Sequence, residues 1–181
     1  SSVRKPAPGA HGDSMDKITV RHFSLTYSDG TESLQNINLN IKANAITALI
    51  GPAGGGKSTF LRALNRLNDL ADVTHTEGHI YINNMDILDP RTPVIELRRL
   101  VGIVFARPLP LPLTIYENVA FGLQVAGERR KAILDEAVER GLRQAQLWDE
   151  VYDRLGDSGF AISGGQQQRL CLARVLALQP E

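Results

Sequence analysis

The sequence has a single cysteine, no long apolar run and no net charge, and each of these absences excludes a class of protein. Cys171 cannot form an internal disulfide, and its neighbours Leu170 and Leu172 predict a small buried side chain in a reducing compartment. No apolar run approaches the roughly 20 residues that span a bilayer, so the sequence predicts no direct membrane insertion. Lys plus Arg and Asp plus Glu both total 20. Charge alone therefore attracts neither nucleic acid nor an anionic membrane, and we expect no nucleic-acid partner.

The first fourteen residues differ from the rest of the chain. They contain two prolines and two glycines and lack apolar periodicity, which is typical of a disordered leader or a tag remnant. Met15 is then a candidate native start. The 181 residues are long enough for one domain with a substantial core and an inserted lobe, and two small domains are the alternative. We therefore expect a leader at 1–14 and one partial domain at 15–181.

Short strands dominate the first half of the sequence. Apolar residues alternate with polar ones at 18–23 and 37–41, as in antiparallel strands with one solvated face, and residues 79–87 have similar strand character. The runs 45–50 and 101–105 are almost continuously apolar instead. This composition predicts two further strands that are buried on both faces.

Helical periodicity dominates the second half. Residues 94–100, 115–125 and 129–146 are predicted helices, and a last helix is expected at about 165–177. The segment 107–113, called the proline loop below, separates the first two of these helices. We expect a helical lobe at about 112–165 that is inserted into a sheet domain.

A glycine-rich segment follows the apolar run 45–50 and precedes an amphipathic helix whose apolar stripe is Phe60, Leu64 and Leu67. It satisfies the pattern G-x-x-x-x-G-K-[ST] with the residues Gly51, Pro52, Ala53, Gly54, Gly55, Gly56, Lys57, Ser58 and Thr59. Its glycines allow backbone N–H groups to turn inward around phosphate oxygens, and the helix N-terminus adds a positive dipole end. In such a P-loop, Lys57 reaches the β and γ phosphates and Ser58 offers a hydroxyl to Mg²⁺. The competing interpretation, a flexible surface loop, does not explain the strand–loop–helix order.

A second group of small and polar residues opens the last predicted helix. Ser163, Gly164, Gly165 and Gln166 present backbone amides and a hydroxyl. A Ser-Gly-Gly sequence is also an ordinary turn between two elements, so this segment by itself leaves both interpretations open.

The order and spacing of the two motifs resemble the ATP-binding-cassette (ABC) family. The resemblance implies an α/β fold with a P-loop NTPase core, an N-terminal antiparallel β subdomain and an inserted α-helical subdomain. It implies ATP and Mg²⁺ as cofactors, transmembrane permease subunits as partners, and a head-to-tail homodimer. In that dimer, residues 163–166 of one subunit contact the γ-phosphate held by the P-loop of the other. Ile162 stands where leucine is usual in the family.

Tyr27 matches the family's aromatic residue that stacks on adenine, and a tyrosine ring offers the base a flat π-face. The alternative is a tyrosine that lies half buried at a strand edge for packing.

Within the family, the resemblance is strongest to the ATPase subunits of bacterial phosphate importers and extends over residues 18–181. It is carried by residues 64–70, 110–122, 147–151 and 164–171. It implies an ATPase that lies on the cytoplasmic side of the cell membrane without entering it. In this family the transported ion does not touch the ATPase subunit, so the phosphate assignment rests on resemblance alone.

The sequence departs from the family pattern in two places. Ala106 occupies the position of a glutamine that helps to bind magnesium and water, and alanine has no oxygen to offer. Glu181 is the last residue, just before the family's strand with a magnesium-binding aspartate and a catalytic glutamate, and before a downstream histidine. The resemblance therefore implies that catalytic residues lie outside 1–181, and that this stretch alone binds nucleotide weakly and hydrolyses little.

Two functions remain open after these observations. One is the ATP-hydrolysing subunit of an importer, which the P-loop and Ser163–Gln166 favour, with the helical lobe and residues 107–116 as the surface for the membrane partner. The other is a nucleotide-binding module without hydrolysis, which Ala106 favours. Another P-loop enzyme, such as a kinase, would leave Ser163–Gln166 without an explanation.

Overall fold

The computed structural model describes residues 16–180. The predicted leader 1–14 and the candidate start Met15 lie outside the described residues. The chain divides into two compact units, Ser1–Thr92 and Pro93–Glu181.

An antiparallel sheet forms most of the first unit. Its strands are β1 (Asp16–Tyr27), β2 (Glu32–Lys42), β3 (Val73–Ile82) and β4 (Met85–Asp86), in the order β2-β1-β3-β4. Val20, Phe23 and Ile80 lie in the core, while their neighbours along the strands are less buried. A register shift between Val20 and Phe23 returns the side chain at 23 to the core face. The predicted antiparallel strands are confirmed.

The helix after the glycine-rich segment is shorter than its apolar stripe predicts. It is α1 (Lys57–Ala63), and a 3-10 turn, Leu67–Leu70, follows it. Phe60 and Leu64 are buried as expected, but Arg66 has a left-handed backbone with φ 57°. This conformation interrupts the α-helical hydrogen bonding, so the residue at 67 lies in the next turn instead of in the same helix.

The two runs predicted as buried strands are corrected by the structure. Neither 45–50 nor 101–105 forms a strand within residues 16–180. Ile50 is 93% exposed, and Ile46 is fully exposed. A strand exists only when a neighbour accepts its backbone hydrogen bonds, and no described strand pairs with either run. The apolar composition of the two runs indicates a tendency to be buried, but no strand within the described residues pairs with them.

Helices form the second unit. They are α2 (Val94–Leu100), α3 (Ile115–Val125), α4 (Lys131–Gln144), the single turn α5 (Trp148–Val151) and α6 (Gly164–Leu176). Helices α3, α4 and α6 share one apolar core in which Val119, Leu142 and Leu170 are fully buried. Cys171 is also buried, as predicted, and is a free thiol. The predicted limits of the lobe, about 112–165, stay a prediction.

The proline loop is held to the helices by side chains. Asn118 of α3 is fully buried; its Nδ2 donates to the carbonyl of Leu113 (3.1 Å), and its Oδ1 accepts the amide of Leu111 (2.7 Å). Arg174 of α6 donates to the carbonyl of Leu109 (3.1 Å). The loop has no regular secondary structure, yet backbone groups of Leu109, Leu111 and Leu113 have defined partners.

The prediction of an α/β chain with an antiparallel sheet and a set of helices is confirmed. Among the described residues, none of the helices combines the length and the apolar character needed to cross a bilayer.

Candidate functional site

The P-loop, residues 51–59, lies in the first unit and ends inside α1. Gly54 and Gly56 both have positive φ, 77° and 74°. Gly56 is buried, and a Cβ there would collide with the carbonyl oxygen of Ser33 and with Leu34. Only glycine combines the left-handed backbone with this close approach to β2. The motif's last glycine is therefore required by the geometry.

Lys57 holds the positive charge of this segment. Its Nζ donates to the carbonyl oxygens of Gly51 (2.8 Å) and Pro52. The ammonium group thus lies beside the backbone at the start of the loop. Residues 51–55 are exposed, so this side of the loop is accessible to a ligand.

Several backbone donors of the P-loop remain open. Gly55 donates to the carbonyl of Pro52 (3.2 Å), but within residues 16–180 the amides of Gly54, Lys57 and Ser58 donate to no other group. The first amides of any helix lack an intrahelical acceptor. Unpartnered N–H groups next to an ammonium group fit the phosphates of a nucleotide, since phosphate oxygens accept hydrogen bonds and carry negative charge.

Thr59 fixes the P-loop helix against the sheet. Its buried hydroxyl oxygen accepts a hydrogen bond from Ser33 Oγ (2.8 Å) and lies 3.0 Å from the hydroxyl of Tyr27. Asn68 Nδ2 donates to the Thr59 carbonyl (2.9 Å). These bonds join β1, β2 and α1 at one residue. Tyr27 is half buried and bonded through its hydroxyl, so both its predicted stacking on adenine and its packing alternative stay predictions.

Ser163–Gln166 lies in the second unit, where it starts α6 with a capping box. Ser163 Oγ accepts the amide of Gln166 (3.3 Å), and the Ser163 amide donates to Gln166 Oε1 (2.9 Å). Ser163, Gly164 and Gly165 are exposed, and no atom lies within 4 Å of where a Cβ would stand at either glycine. The segment is thus a helix cap with a free, accessible surface.

An ion pair supports this cap. Glu150 of α5 accepts Gln166 Nε2 (2.8 Å) and two hydrogen bonds from the Arg169 guanidinium (2.7 and 2.9 Å). The hydrogen bonds from Arg169, and then that from Gln166, lower the pKa of the Glu150 carboxyl from its ordinary value. Glu150 is therefore ionised at neutral pH.

The remaining predicted site residues are exposed. Ser58 presents its hydroxyl at the surface of α1, and Ala106 lies on a bend after the run 101–105. Phe105, just before Ala106, accepts a hydrogen bond at its carbonyl from Gln168 Nε2 (2.8 Å). No oxygen is present on the side chain of residue 106, so the glutamine role expected in the family has no equivalent at this position.

The structure brings some predicted residues together and reveals others. The P-loop and Tyr27 meet at Thr59 in the first unit, whereas Ser163–Gln166 belongs to the second unit. Sequence reasoning missed Ser33 and Glu150. The Ser-x-x-Gln spacing at 163–166 is itself a capping-box signal, but no sequence pattern links Glu150 to it.

Comparison with known proteins agrees with this geometry. A family model described as ABC transporter matches residues 34–181. The chain is 49% identical over 164 residues to the phosphate import ATP-binding protein PstB 2 of Bacillus licheniformis, which covers 91% of this chain but only 59% of that relative. The chain thus spans about three fifths of the length of this curated relative.

Solved structures give the same result. The structure of cbiO1 from Clostridium perfringens, part of the ABC transporter complex cbiONQ, matches with a TM-score of 0.74 and 30% identity over 92% of this chain and 63% of that one. The ATP-binding cassette MJ0796, a dimer in a post-hydrolysis state bound to ADP and phosphate, matches with a TM-score of 0.72 and 31% identity over 90% and 70%. The predicted P-loop NTPase fold class is confirmed, and the chain belongs to the ABC transporter family of ATP-binding cassettes.

Proposed function

We propose that this chain is the ATP-binding part of an ATP-hydrolysing subunit of an ABC importer, and that the imported solute is inorganic phosphate. The observation that carries the proposal is the P-loop itself. Gly56 turns the backbone against Ser33, and the open amides and Lys57 lie on the accessible side of the same loop. That arrangement suits the phosphate groups of a nucleotide.

Each P-loop residue has a separate task in this proposal. Lys57 exchanges its carbonyl partners for the β and γ phosphates, and the amides of residues 54–58 donate to phosphate oxygens. Ser58 offers its hydroxyl to the Mg²⁺ that accompanies ATP. When bound, Mg²⁺ neutralises charge on the phosphates. Thr59 keeps the helix in place through Ser33 and Tyr27, and the ring of Tyr27 lies against adenine.

The proposal includes a second copy of the chain and a membrane partner. Ser163, Gly164, Gly165 and Gln166 of one copy contact the γ-phosphate held by the other copy, in a head-to-tail homodimer. The exposed amides and hydroxyl at the start of α6 support this role. Permease subunits contact the helical lobe and residues 107–116, and the subunit lies on the cytoplasmic face of the membrane. The name of the Bacillus relative supports phosphate as the solute.

A second candidate is a nucleotide-binding module that does not hydrolyse ATP. The observation that favours it is Ala106, which offers no oxygen to magnesium or to water. Binding is expected in both cases, so hydrolysis separates the two candidates.

Titration calorimetry of the intact protein with Mg-ATP tests the binding proposal. Lys57→Ala should weaken binding at least about tenfold, since it removes the cation that faces the phosphates. Lys42→Ala, an exposed lysine at the end of β2, is the matched control and should bind like the wild type. Equal affinity of Lys57→Ala and the wild type would refute a working P-loop.

A measurement of the inorganic phosphate released by ATP hydrolysis then decides between the two candidates. Turnover that depends on Mg-ATP supports the importer ATPase. Binding without turnover, with turnover appearing in Ala106→Gln, supports the non-hydrolysing module.

A further inference from the structure

Ser163 has a hydroxyl whose direction is set by its neighbours. Its Oγ accepts the Gln166 amide (3.3 Å), and its own amide is held by Gln166 Oε1 (2.9 Å). An acceptor bond on the oxygen leaves the hydroxyl hydrogen free to be donated elsewhere. Because Ser163 is exposed, that hydrogen is available to a ligand outside the unit.

The Gln166 side chain can fix the position of Ser163 only if its own amide group has a fixed orientation. One end of its amide caps Ser163, and the other end, Nε2, donates to Glu150 Oε2 (2.8 Å). Arg169, one turn further along α6, binds both oxygens of the same carboxylate. The carboxylate therefore connects two residues on one face of α6.

Glu150 lies on a firm support. It belongs to α5, whose neighbouring residues Leu147 and Val151 are fully buried in the helical core. Arg169 also donates to the carbonyl of Gln146 (2.6 Å), which lies two residues before the first residue of α5. The carboxylate is thus anchored to the core and connected to the cap of α6 by several bonds.

We propose that Glu150 is a positioning residue for the Ser163 hydroxyl: through Gln166, it fixes the cap of α6 so that Ser163 donates to the γ-phosphate of the nucleotide held by the second copy. This inference rests on the proposed function. Glu150 touches neither nucleotide nor reacting atoms, and it acts through Gln166.

If the Glu150–Arg169 contact were only a surface ion pair, its loss would have little effect on stability or activity. Ion pairs between exposed side chains add little to stability, and the Glu150 side chain is 43% exposed. The same helical unit contains a matched pair of this kind: Glu139 lies 2.7 Å from Arg143 and its side chain is 46% exposed. Within residues 16–180, Glu139 makes no hydrogen bond or ion pair with residues 163–166, so it separates the loss of an ion pair from the loss of positioning.

The test measures kcat and KM for ATP hydrolysis, and Tm, on the intact protein. Glu150→Gln replaces a carboxylate oxygen by an NH₂ group that faces the donors of Gln166 and Arg169, so the hydrogen bonds to that oxygen are lost. We expect kcat to fall roughly tenfold, with KM for ATP and Tm close to the wild type. Glu139→Gln should leave all three unchanged. Equal kcat for Glu150→Gln and Glu139→Gln would overturn the inference.

A double-mutant comparison makes the test independent of small folding effects. Ser163→Ala should lower kcat, and adding Glu150→Gln to it should lower kcat no further, since the hydroxyl that Glu150 positions is gone. If the two substitutions lower kcat by factors that multiply in the double variant, Glu150 acts by a route other than Ser163, and the inference is overturned.

If Ser163→Ala hydrolyses ATP like the wild type, or the wild type does not hydrolyse ATP, the proposed function fails first. If Ser163→Ala is impaired and Glu150→Gln is not, the inference alone fails.

Discussion

At the scale of single residues, Gly56 shows how one backbone position shapes the P-loop. Its φ of 74° is a conformation that costs other residues about 1–2 kcal/mol, and a side chain would collide with the carbonyl of Ser33. Gly51 is less constrained, since no atom lies within 4 Å of where a Cβ would stand there. The glycines of the motif are thus not equivalent.

We predict that Gly56→Ala lowers the free energy of unfolding by about 2 kcal/mol or more, because backbone strain and the collision with β2 act together. Gly51→Ala, in the same loop, should change it by less than about 0.5 kcal/mol. Urea denaturation followed by circular dichroism measures both variants. Similar losses in the two variants would show that the contact with Ser33 does not constrain the loop.

The same scale shows which part of the site the sequence could predict. Residues 51–59 and 163–166 are contiguous, so each forms a local pattern that the sequence displays, although the role predicted for 163–166 rests on the family resemblance. Ser33 and Glu150 were missed, because each reaches its partner from a distant position in the chain: 26 residues separate Ser33 from Thr59, and 16 separate Glu150 from Gln166. Such contacts exist only after folding, and no local periodicity encodes them.

At the scale of elements, α3 begins with a capping box that contains a titratable group. Glu117 accepts hydrogen bonds from the amide (2.9 Å) and the hydroxyl (2.8 Å) of Thr114. These bonds lower the pKa of Glu117 from its ordinary value. The ionised form is therefore favoured in the folded state, and stability gained this way is present at neutral pH and lost as the pH falls through the lowered pKa.

We predict that Glu117→Gln has a lower Tm than the wild type near pH 7 and that the difference shrinks as the pH falls through the lowered pKa of the wild-type carboxyl. Differential scanning calorimetry across this range measures the effect. Glu136→Gln, whose carboxylate lies 3.9 Å from Arg140 on an exposed face of α4, is the control and should differ little from the wild type. A constant Tm difference at every pH would argue against the charge as the cause.

Elements also differ in how well the sequence predicts them. The bounds 94–100 and 115–125 agree with α2 and α3, since a helix makes its hydrogen bonds within itself and its stripe and caps are local. The runs 45–50 and 101–105 are the opposite case: their strand prediction was wrong, because a strand needs a partner that local sequence does not specify.

At the scale of the whole molecule, the run 45–50 leaves apolar surface uncovered. Ile46 and Ile50 are nearly fully exposed, and they belong to one stretch that is apolar apart from Thr47. Contiguous exposed apolar segments promote association, particularly where backbone groups lack a strand partner.

We predict that residues 1–181 associate as their concentration rises, and that Ile46→Lys combined with Ile50→Lys raises the concentration needed by about tenfold or more. Sedimentation velocity measures the association. Ile95→Lys is the control: Ile95 is 72% exposed on α2, outside this run, and its replacement should have little effect. If Ile95→Lys weakens association as much as the Ile46→Lys and Ile50→Lys pair does, the run 45–50 is not the contact.

The bonds that Asn118 and Arg174 make to the proline loop have a thermodynamic consequence. Fixing one residue's backbone costs about 1–2 kcal/mol of conformational entropy, and a flexible loop would pay that cost whenever it bound something. Here folding of the second unit already fixes Leu109 and Leu111, and the prolines restrict the unfolded chain as well. A protein that binds this loop therefore contacts backbone that is already ordered. Binding then loses less conformational entropy, so more of the free energy of the contacts contributes to affinity.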